Sequence, residues 1–293
     1  MMRRPRLDLR DQPLAGGQPL AFGIGLAVAL FVGILLLLSA GHEPLKIYTR
    51  MFEASLGDPD AWAVTLNRAV PLGLAGLAVA VAGSMGLWNI GAEGQIMTGA
   101  IAASWVARIG GEWPGLILII AMLIAALGGG GLLALGPAVA KAKLGVNEII
   151  TTLMLNEVAI RLAQWLIHGP WKDPDAYNFP LAPMLPEQAH LPTLFSRAHC
   201  GILIAAGVIV ISSVAVKYTA WGYELRIAGS SEATARYSGI SLPQKILTVL
   251  VLSGGIAGLA GGVELTGTAD RLTETLSNGF GFAGIIVAAL ALM

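Results

Sequence analysis

Long apolar runs alternate with polar stretches along the whole chain. The first run covers residues 21–40. Others cover 69–85, 95–109, 115–139, 146–167, 201–216 and 246–266, and a last one opens near Phe282. Most approach the ~20 residues a helix needs to cross a bilayer. The pattern predicts an all-α polytopic membrane protein with about eight membrane helices. Pro71 falls in the first turn of the second run, where its missing donor costs least. Residues 41–68 read as a polar loop carrying an interfacial helix, and residues 169–197 as a long Pro-rich loop. Residues 217–245 are polar again.

One interruption differs from the rest. Residues 86–95 carry Asn89, Glu93 and Gln95 together with Gly86, Gly91 and Gly94. Glycines weaken a helix here, and the polar side chains need partners or water. Non-helical backbone at bilayer depth is tolerated only against protein or a water-filled cavity. The spacing fits a broken or re-entrant segment lining a translocation path. It also fits an ordinary short loop at the membrane surface.

Composition supports the membrane reading. The chain is 55% hydrophobic and 12% charged, where soluble domains carry about 25% charged residues. Lys plus Arg and Asp plus Glu balance at 18 each, which gives no sign of a nucleic-acid partner. Cys200 is the single cysteine, so no internal disulfide and no cysteine metal cluster form. Arg3, Arg4, Arg6 and Arg10 precede a run longer than the about 7–15 residues of a signal-peptide core, so it reads as a first membrane helix. The arginines leave residues 1–20 as a cytoplasmic N-terminal segment ahead of a membrane domain over 21–293. Alternation then places Lys141, Lys143, Lys217, Arg226, Arg236 and Lys245 on the same side as the N-terminus. The other side receives Lys46, Arg50, Arg68, Lys172, Arg197 and Arg271, spread over longer loops. The positive-inside bias makes the N-terminal side cytoplasmic. Loops 41–68 and 169–197 are then external and 217–245 internal. This sorting requires residues 85–95 to be a real turn.

Polar groups inside the runs are candidates for function. Glu148, Thr152 and Asn156 are spaced i, i+4, i+8 and share one helix face. They fit either a polar wall of a translocation path or a structural clamp between helices. Glu157 and Arg161 are i, i+4 and fit an ion pair. Gly254, Gly258 and Gly262, four apart, form a packing stripe for close helix contact, and Gly128–Gly131 have the same use. Glu264, near the outer end of that helix, reads as snorkelling to the interface. No G-x-x-x-x-G-K-[ST] occurs, so the chain carries no ATP-binding P-loop of its own, and no H-E-x-x-H occurs. His42, His168, His190 and His199 show no metal spacing, so no metal or other cofactor is expected.

In the loop 221–243, Ser231 can cap a short helix over residues 232–238 with Glu232 in its first turn. Gly239 suits the left-handed position after it. Ala233 and Ala235 leave its surface bare, which suits docking into a groove of a partner. This loop resembles the cytoplasmic coupling segment of ABC-transporter permeases. Gly86-Leu-Trp-Asn-Ile-Gly-Ala-Glu-Gly-Gln95, Gly145-Val-Asn-Glu-Ile-Ile-Thr-Thr-Leu-Met-Leu-Asn156 and residues 229–239 are similar to the nucleoside/simple-sugar branch of the branched-chain amino acid/simple-sugar permease superfamily. Glu157 stands where an aromatic residue is expected, and the chain stops where members continue, which predicts a last helix cut short.

The resemblance implies a multi-pass permease subunit of an ABC importer in the bacterial plasma membrane. It implies a separate ATPase that binds the ATP, a second permease subunit and an external substrate-binding protein. Gly229, Glu232, Ala233, Ala235, Arg236 and Gly239 are then the ATPase-coupling residues. Asn89, Glu93, Gln95, Glu148, Thr152 and Asn156 line the path of an uncharged polar solute. The alternative is a secondary transporter driven by protons through Glu93, Glu148 or Glu157. A membrane enzyme is the remaining class.

Overall fold

The computed structural model describes residues 17–177 and 179–292. Two units are distinguished among the described residues, 17–58 and 59–292. In the first, α1 (Gly17–Ser39) is apolar from Leu20 to Leu38 and α2 (Pro44–Leu56) opens on a proline. Tyr48 Oη donates to Leu30 O at 3.1 Å and ties the two helices. Leu45, Met51 and Phe52 of α2 are exposed, as an interfacial helix requires.

The second unit contains α3 (Pro59–Gly83), α4 (Ala92–Ile109), α5 (Gly115–Leu144), α6 (Glu148–His168), α7 (Gly201–Tyr218), α8 (Ala220–Ser230), α9 (Glu232–Tyr237), α10 (Leu242–Glu264) and α11 (Phe280–Leu292). A π-helical turn, Leu265–Ala269, extends α10. A small hairpin pairs β1 (Thr193–Phe195) antiparallel with β2 (Ala198–His199). Among the described residues, five helices are long and apolar enough to span a membrane: α1, α3, α5, α7 and α10. α4, α6 and the shorter α11 account for the other three expected helices.

α10 is the axis of this unit. From Ser253 to Glu264 every residue is buried. Lipid is as apolar as leucine, so membrane helices associate by van der Waals contact and favour small residues. A Cβ on Gly258 would lie 2.3 Å from Ala126 O, and one on Gly99 would lie 2.1 Å from Gly258 O. A Cβ on Gly130 would lie 2.2 Å from Gly254 O, and one on Gly262 would lie 2.5 Å from the Ala126 Cβ. α4, α5 and α10 therefore meet backbone to backbone. Of the run at residues 128–131, Gly129 and Gly130 lie in this contact, while Gly128 faces open space.

Three boundaries differ from the sequence expectation. α3 starts at Pro59, not at residue 69, so the stretch 59–68 is helix. Its polar residues find partners: Asn67 Nδ2 donates to Arg197 O (2.8 Å), and Asn67 Oδ1 accepts from His199 N (3.2 Å). α4 starts at Ala92, which puts Glu93 and Gln95 inside its first turn. The stretch 217–245 is mostly helical; Thr219 caps α8 by accepting from Gly222 N, and Leu225 and Ala228 are its buried face.

Gly258→Ala forces two backbones apart. It should destabilise the detergent-solubilised protein by about 1–3 kcal/mol, the range for overpacking. Gly128→Ala should be neutral or slightly stabilising. Thermal unfolding of both variants checks this, and equal melting temperatures would refute the backbone contact.

Candidate functional site

α3 ends at Gly83, and the chain turns through Gly86 at φ +72°. Residues 84–91 are not helical, so their peptide groups lose the helical ladder. Side chains replace it. Asn89 Oδ1 accepts from Gly91 N (3.1 Å) and from Gln95 Nε2 (3.0 Å). Asn89 Nδ2 donates to Gln95 Oε1 (2.7 Å) and to Ser253 Oγ (2.8 Å). Ser253 in turn donates to Ala78 O of α3 at 2.5 Å. From α6, Asn156 Nδ2 donates to Ile90 O (2.9 Å), and its Oδ1 accepts from Gly94 N (2.9 Å). The break is thereby tied to α3, α4, α6 and α10.

Glu93 adds α11. Its two carboxylate oxygens accept from Gly279 N (2.9 Å) and Gly281 N (2.7 Å). Those N–H groups flank the start of α11, where no residue of the helix itself can receive them. Glu93 also sits in the first turn of α4. One carboxylate therefore lies at the positive ends of two helices, a favourable place for negative charge. A Cβ on Gly281 would lie 2.2 Å from Glu93 N, so only glycine allows this approach.

The other two members lie beside this centre. Glu148 pairs with Lys141 Nζ at 2.8 Å across the α5–α6 connection. Asn147 caps α6 by accepting from Ile149 N, and Thr152 Oγ1 donates back to Glu148 O at 2.6 Å. Asn89, Glu93, Gln95, Glu148, Thr152 and Asn156 are all buried. In this conformation Asn89, Glu93, Gln95 and Asn156 form a polar clamp with Glu148 and Thr152 beside it, and none of the six lines either of two apolar hollows on α5. One of these, of about 560 Å³, is walled by residues such as Trp105, Gly129, Leu162 and Trp171.

Glu157 and Arg161 do not pair among the described residues. Both are exposed, and Arg161 Nη1 donates to Gln164 Oε1 at 2.9 Å instead. Gln164 passes the link to Glu274 Oε2 (3.1 Å), which offers Arg161 a better-anchored acceptor than a neighbour on its own helix. Glu264 does not snorkel: it is 4% exposed and lies under Arg68.

In the segment expected to couple, Ser231 caps α9 as expected by accepting from Thr234 N (3.2 Å), and Gly239 takes φ +74°. Glu232 and Arg236 are exposed and lie 3.8 Å apart, and Ala233 is exposed. Ala235 is not: it is fully buried against the chain's own core. A helix of six residues is stable only when one side packs, and Ala235 is that side. The exposed side presents Tyr237, at 96% exposure, four residues after Ala233. Gly229 lies against the break, where a Cβ would be 2.9 Å from Met85 C.

Sequence reasoning missed Ser253, Gly279, Gly281 and Tyr237. The i, i+4 spacing from Ala233 was a usable signal for Tyr237. The partners of Glu93 are 186 and 188 residues away, and no local pattern announces them.

Asn156→Leu leaves Gly94 N–H, which is buried, and Ile90 C=O, which is half-buried, without partners. Each such group costs about 1–3 kcal/mol. Melting temperature and yield should fall together with transport. Lost transport at an unchanged melting temperature would instead make Asn156 a contact of the solute.

The family described as branched-chain amino acid transport system/permease component matches residues 62–293. The chain is similar to the glucose ABC transporter permease protein of Haloferax volcanii, 37% identical over 94% of this chain and 75% of that protein. It is similar to the guanosine ABC transporter permease protein of Bacillus subtilis, 33% identical over 91% of this chain and 78% of that one. It is also similar to the nucleoside ABC transporter permease protein of Lactococcus lactis subsp. cremoris, at 28% identity over 91% and 76%. The comparison with solved structures gives no match. The chain belongs to the permease components of ABC transport systems, as a multi-pass membrane subunit of the sugar and nucleoside branch.

Proposed function

We propose that this permease imports a nucleoside or simple sugar, driven by ATP that a separate ATPase subunit binds and hydrolyses. A second permease subunit completes the path, and an external binding protein delivers the solute. The N-terminus lies in the cytoplasm, and the membrane is the bacterial plasma membrane. The substrate class rests on what the similar permeases are named for.

The observation that carries the ATP-driven reading is the contact between Gly229 and Met85. α8 touches the break through Gly229 and leads directly into the exposed short helix α9. The break is hydrogen-bonded to four helices and, through Glu93, to a fifth. A partner that displaces α9 therefore acts directly on the joint that organises the unit. Such transmission through packed elements is the usual way a local push becomes a rigid-body shift. Tyr237, Glu232 and Ala233 are the partner face, and Ala235 is the seat on the permease itself.

Exposed tyrosines at interface centres are frequent hot spots. Tyr237→Ala and Ala233→Glu should each lower recovery of the co-expressed ATPase in a detergent pull-down by about tenfold. Their melting temperatures should stay at the wild-type value. Ala235→Glu should instead lower the melting temperature, because it buries a charge. Full recovery of the ATPase with both exposed-face variants would remove the coupling assignment.

Topology is tested separately. In a Cys200→Ser background, a cysteine at Lys143 should resist an impermeant thiol reagent in intact cells and one at Asp175 should react. Reaction of both from the same face would overturn the orientation.

A further inference from the structure

The end of α10 away from α8 and α9 holds a charged group that the clamp does not use. Glu264 Oε2 is fully enclosed and has no hydrogen-bond partner among the described residues. The Thr268 side chain hydrogen-bonds this carboxyl, and Glu264 Oε1 lies 3.9 Å from Arg68 Nη1, too far for a hydrogen bond, so Oε2 is the oxygen left without a donor. A buried carboxylate oxygen without a donor is a costly defect, and natural folds keep few of them. Arg68 has not closed on it. Its side chain is 52% exposed, and the guanidinium stands 6.0 Å over the Phe280 ring.

The surroundings are built to hold this arrangement. The backbone leaves Glu264 through the π-helical turn Leu265–Ala269, a geometry frequent at functional sites. His199 braces that turn to α3. Its Nδ1 accepts from Gly201 N (3.2 Å), which puts the ring proton on Nε2, 3.4 Å from Thr268 Oγ1. Its backbone N–H donates to Asn67, next to Arg68. Burial lowers the pKa of the imidazole, so the brace is neutral.

The charges select the ligand. A cation at Glu264 is opposed by the adjacent guanidinium, and no cluster of three His, Cys, Asp or Glu able to hold a metal occurs among the described residues. An anion at Arg68 is opposed by Glu264. An uncharged solute with a donor beside an acceptor satisfies both. Its O–H or N–H fills the missing bond to Glu264, and its oxygen or ring nitrogen takes one from Arg68. Paired sugar hydroxyls and the amide edge of a nucleobase both present that arrangement. Rotation of the half-exposed Arg68 side chain uncovers Phe280, an apolar surface for the ring of either.

We propose that Glu264, Arg68 and Phe280 form a solute subsite at this end of the permease, which takes an uncharged solute carrying an O–H or N–H donor next to an acceptor. The proposal rests on the importer reading above and deepens it.

The test uses the permease co-expressed with its ATPase and the other subunits, with guanosine and glucose as probes. Glu264→Gln keeps the shape and removes the charge, and Arg68→Gln removes the donor fork at a half-exposed position. Each should raise the KM of uptake about tenfold or more, the loss of one charge-assisted hydrogen bond. The melting temperature should be unchanged or, for Glu264→Gln, higher, since an unpartnered buried charge is gone. A wild type that transports either probe, with KM unchanged in both variants, overturns the subsite. So does a lower melting temperature in Glu264→Gln alongside an unchanged KM in Arg68→Gln, which makes Glu264 structural. If the wild type takes up neither probe, the nucleoside-or-sugar reading of the importer falls while the permease family stands. The subsite is then decided by thermal shift of the purified permease. A shift with guanosine or glucose that is lost in both variants supports it, and no shift in the wild type overturns it.

Discussion

A helix interrupted inside a membrane exposes peptide groups to a medium that cannot bond them. Each such group costs several kcal/mol if left alone, roughly as much as a sizeable apolar side chain contributes. The break at residues 84–91 meets this constraint with amides, which carry donor and acceptor together. Asn89 makes four hydrogen bonds and Asn156 two, each to groups that the interruption exposes or to their neighbours. Leucine in either place supplies none of this. Glu93 meets the same need at a second site, the start of α11. Its charge is tolerable because two helix dipoles point at it. The clamp is thus a consequence of breaking the helix, and the identities of its members follow from which groups lack partners.

The clamp works only if its parts are held to a fraction of an ångström. That precision comes from the glycine contacts. Gly99 and Gly258 touch backbone to backbone one turn from Gln95 and five residues from Ser253. Bringing α4 and α10 this close is what lets Asn89 reach Ser253. A hydrogen bond weakens steeply beyond its normal length, so one methyl group at the crossing acts on the polar joint as well as on packing. The small residues and the amides are therefore one device with two chemistries.

This explains what was legible in the sequence. The apolar runs, the interruption, the Gly254–Gly258–Gly262 stripe and the Ser231 cap all rest on local spacing, and local spacing is what a single sequence displays. The polar residues of the clamp were identifiable as a set, but two uses for them were open. Deciding between path and clamp needs partners far along the chain, such as Gly281 for Glu93. Helix limits failed where a distant partner rescued a polar residue. Asn67 read as loop because its amide has no local use, yet the β-hairpin supplies both of its bonds. Ala235 read as exposed because alanine fits either side of a short helix, and only tertiary packing chooses. The ion pair Glu157–Arg161 failed for the opposite reason. Helical spacing permits it, but Gln164, held by Glu274, is the better-anchored acceptor.

α10 connects these features in a single rigid element. It begins at Leu242, five residues after α9 ends, carries Ser253 at the clamp and ends on Glu264. Its length of 23 residues corresponds to about 34 Å at the rise of an α-helix. Close-packed interiors transmit displacement because they have few voids in which to absorb it. Glycine interfaces resist separation through many small contacts yet carry no interlocking side chains to resist sliding along the axis. A helix packed this way transmits an axial push at one end to a carboxylate at the other with little loss. The unpartnered oxygen of Glu264 is then at the point where such a shift changes most: a fraction of an ångström decides whether Arg68, a solute or nothing completes its hydrogen bond.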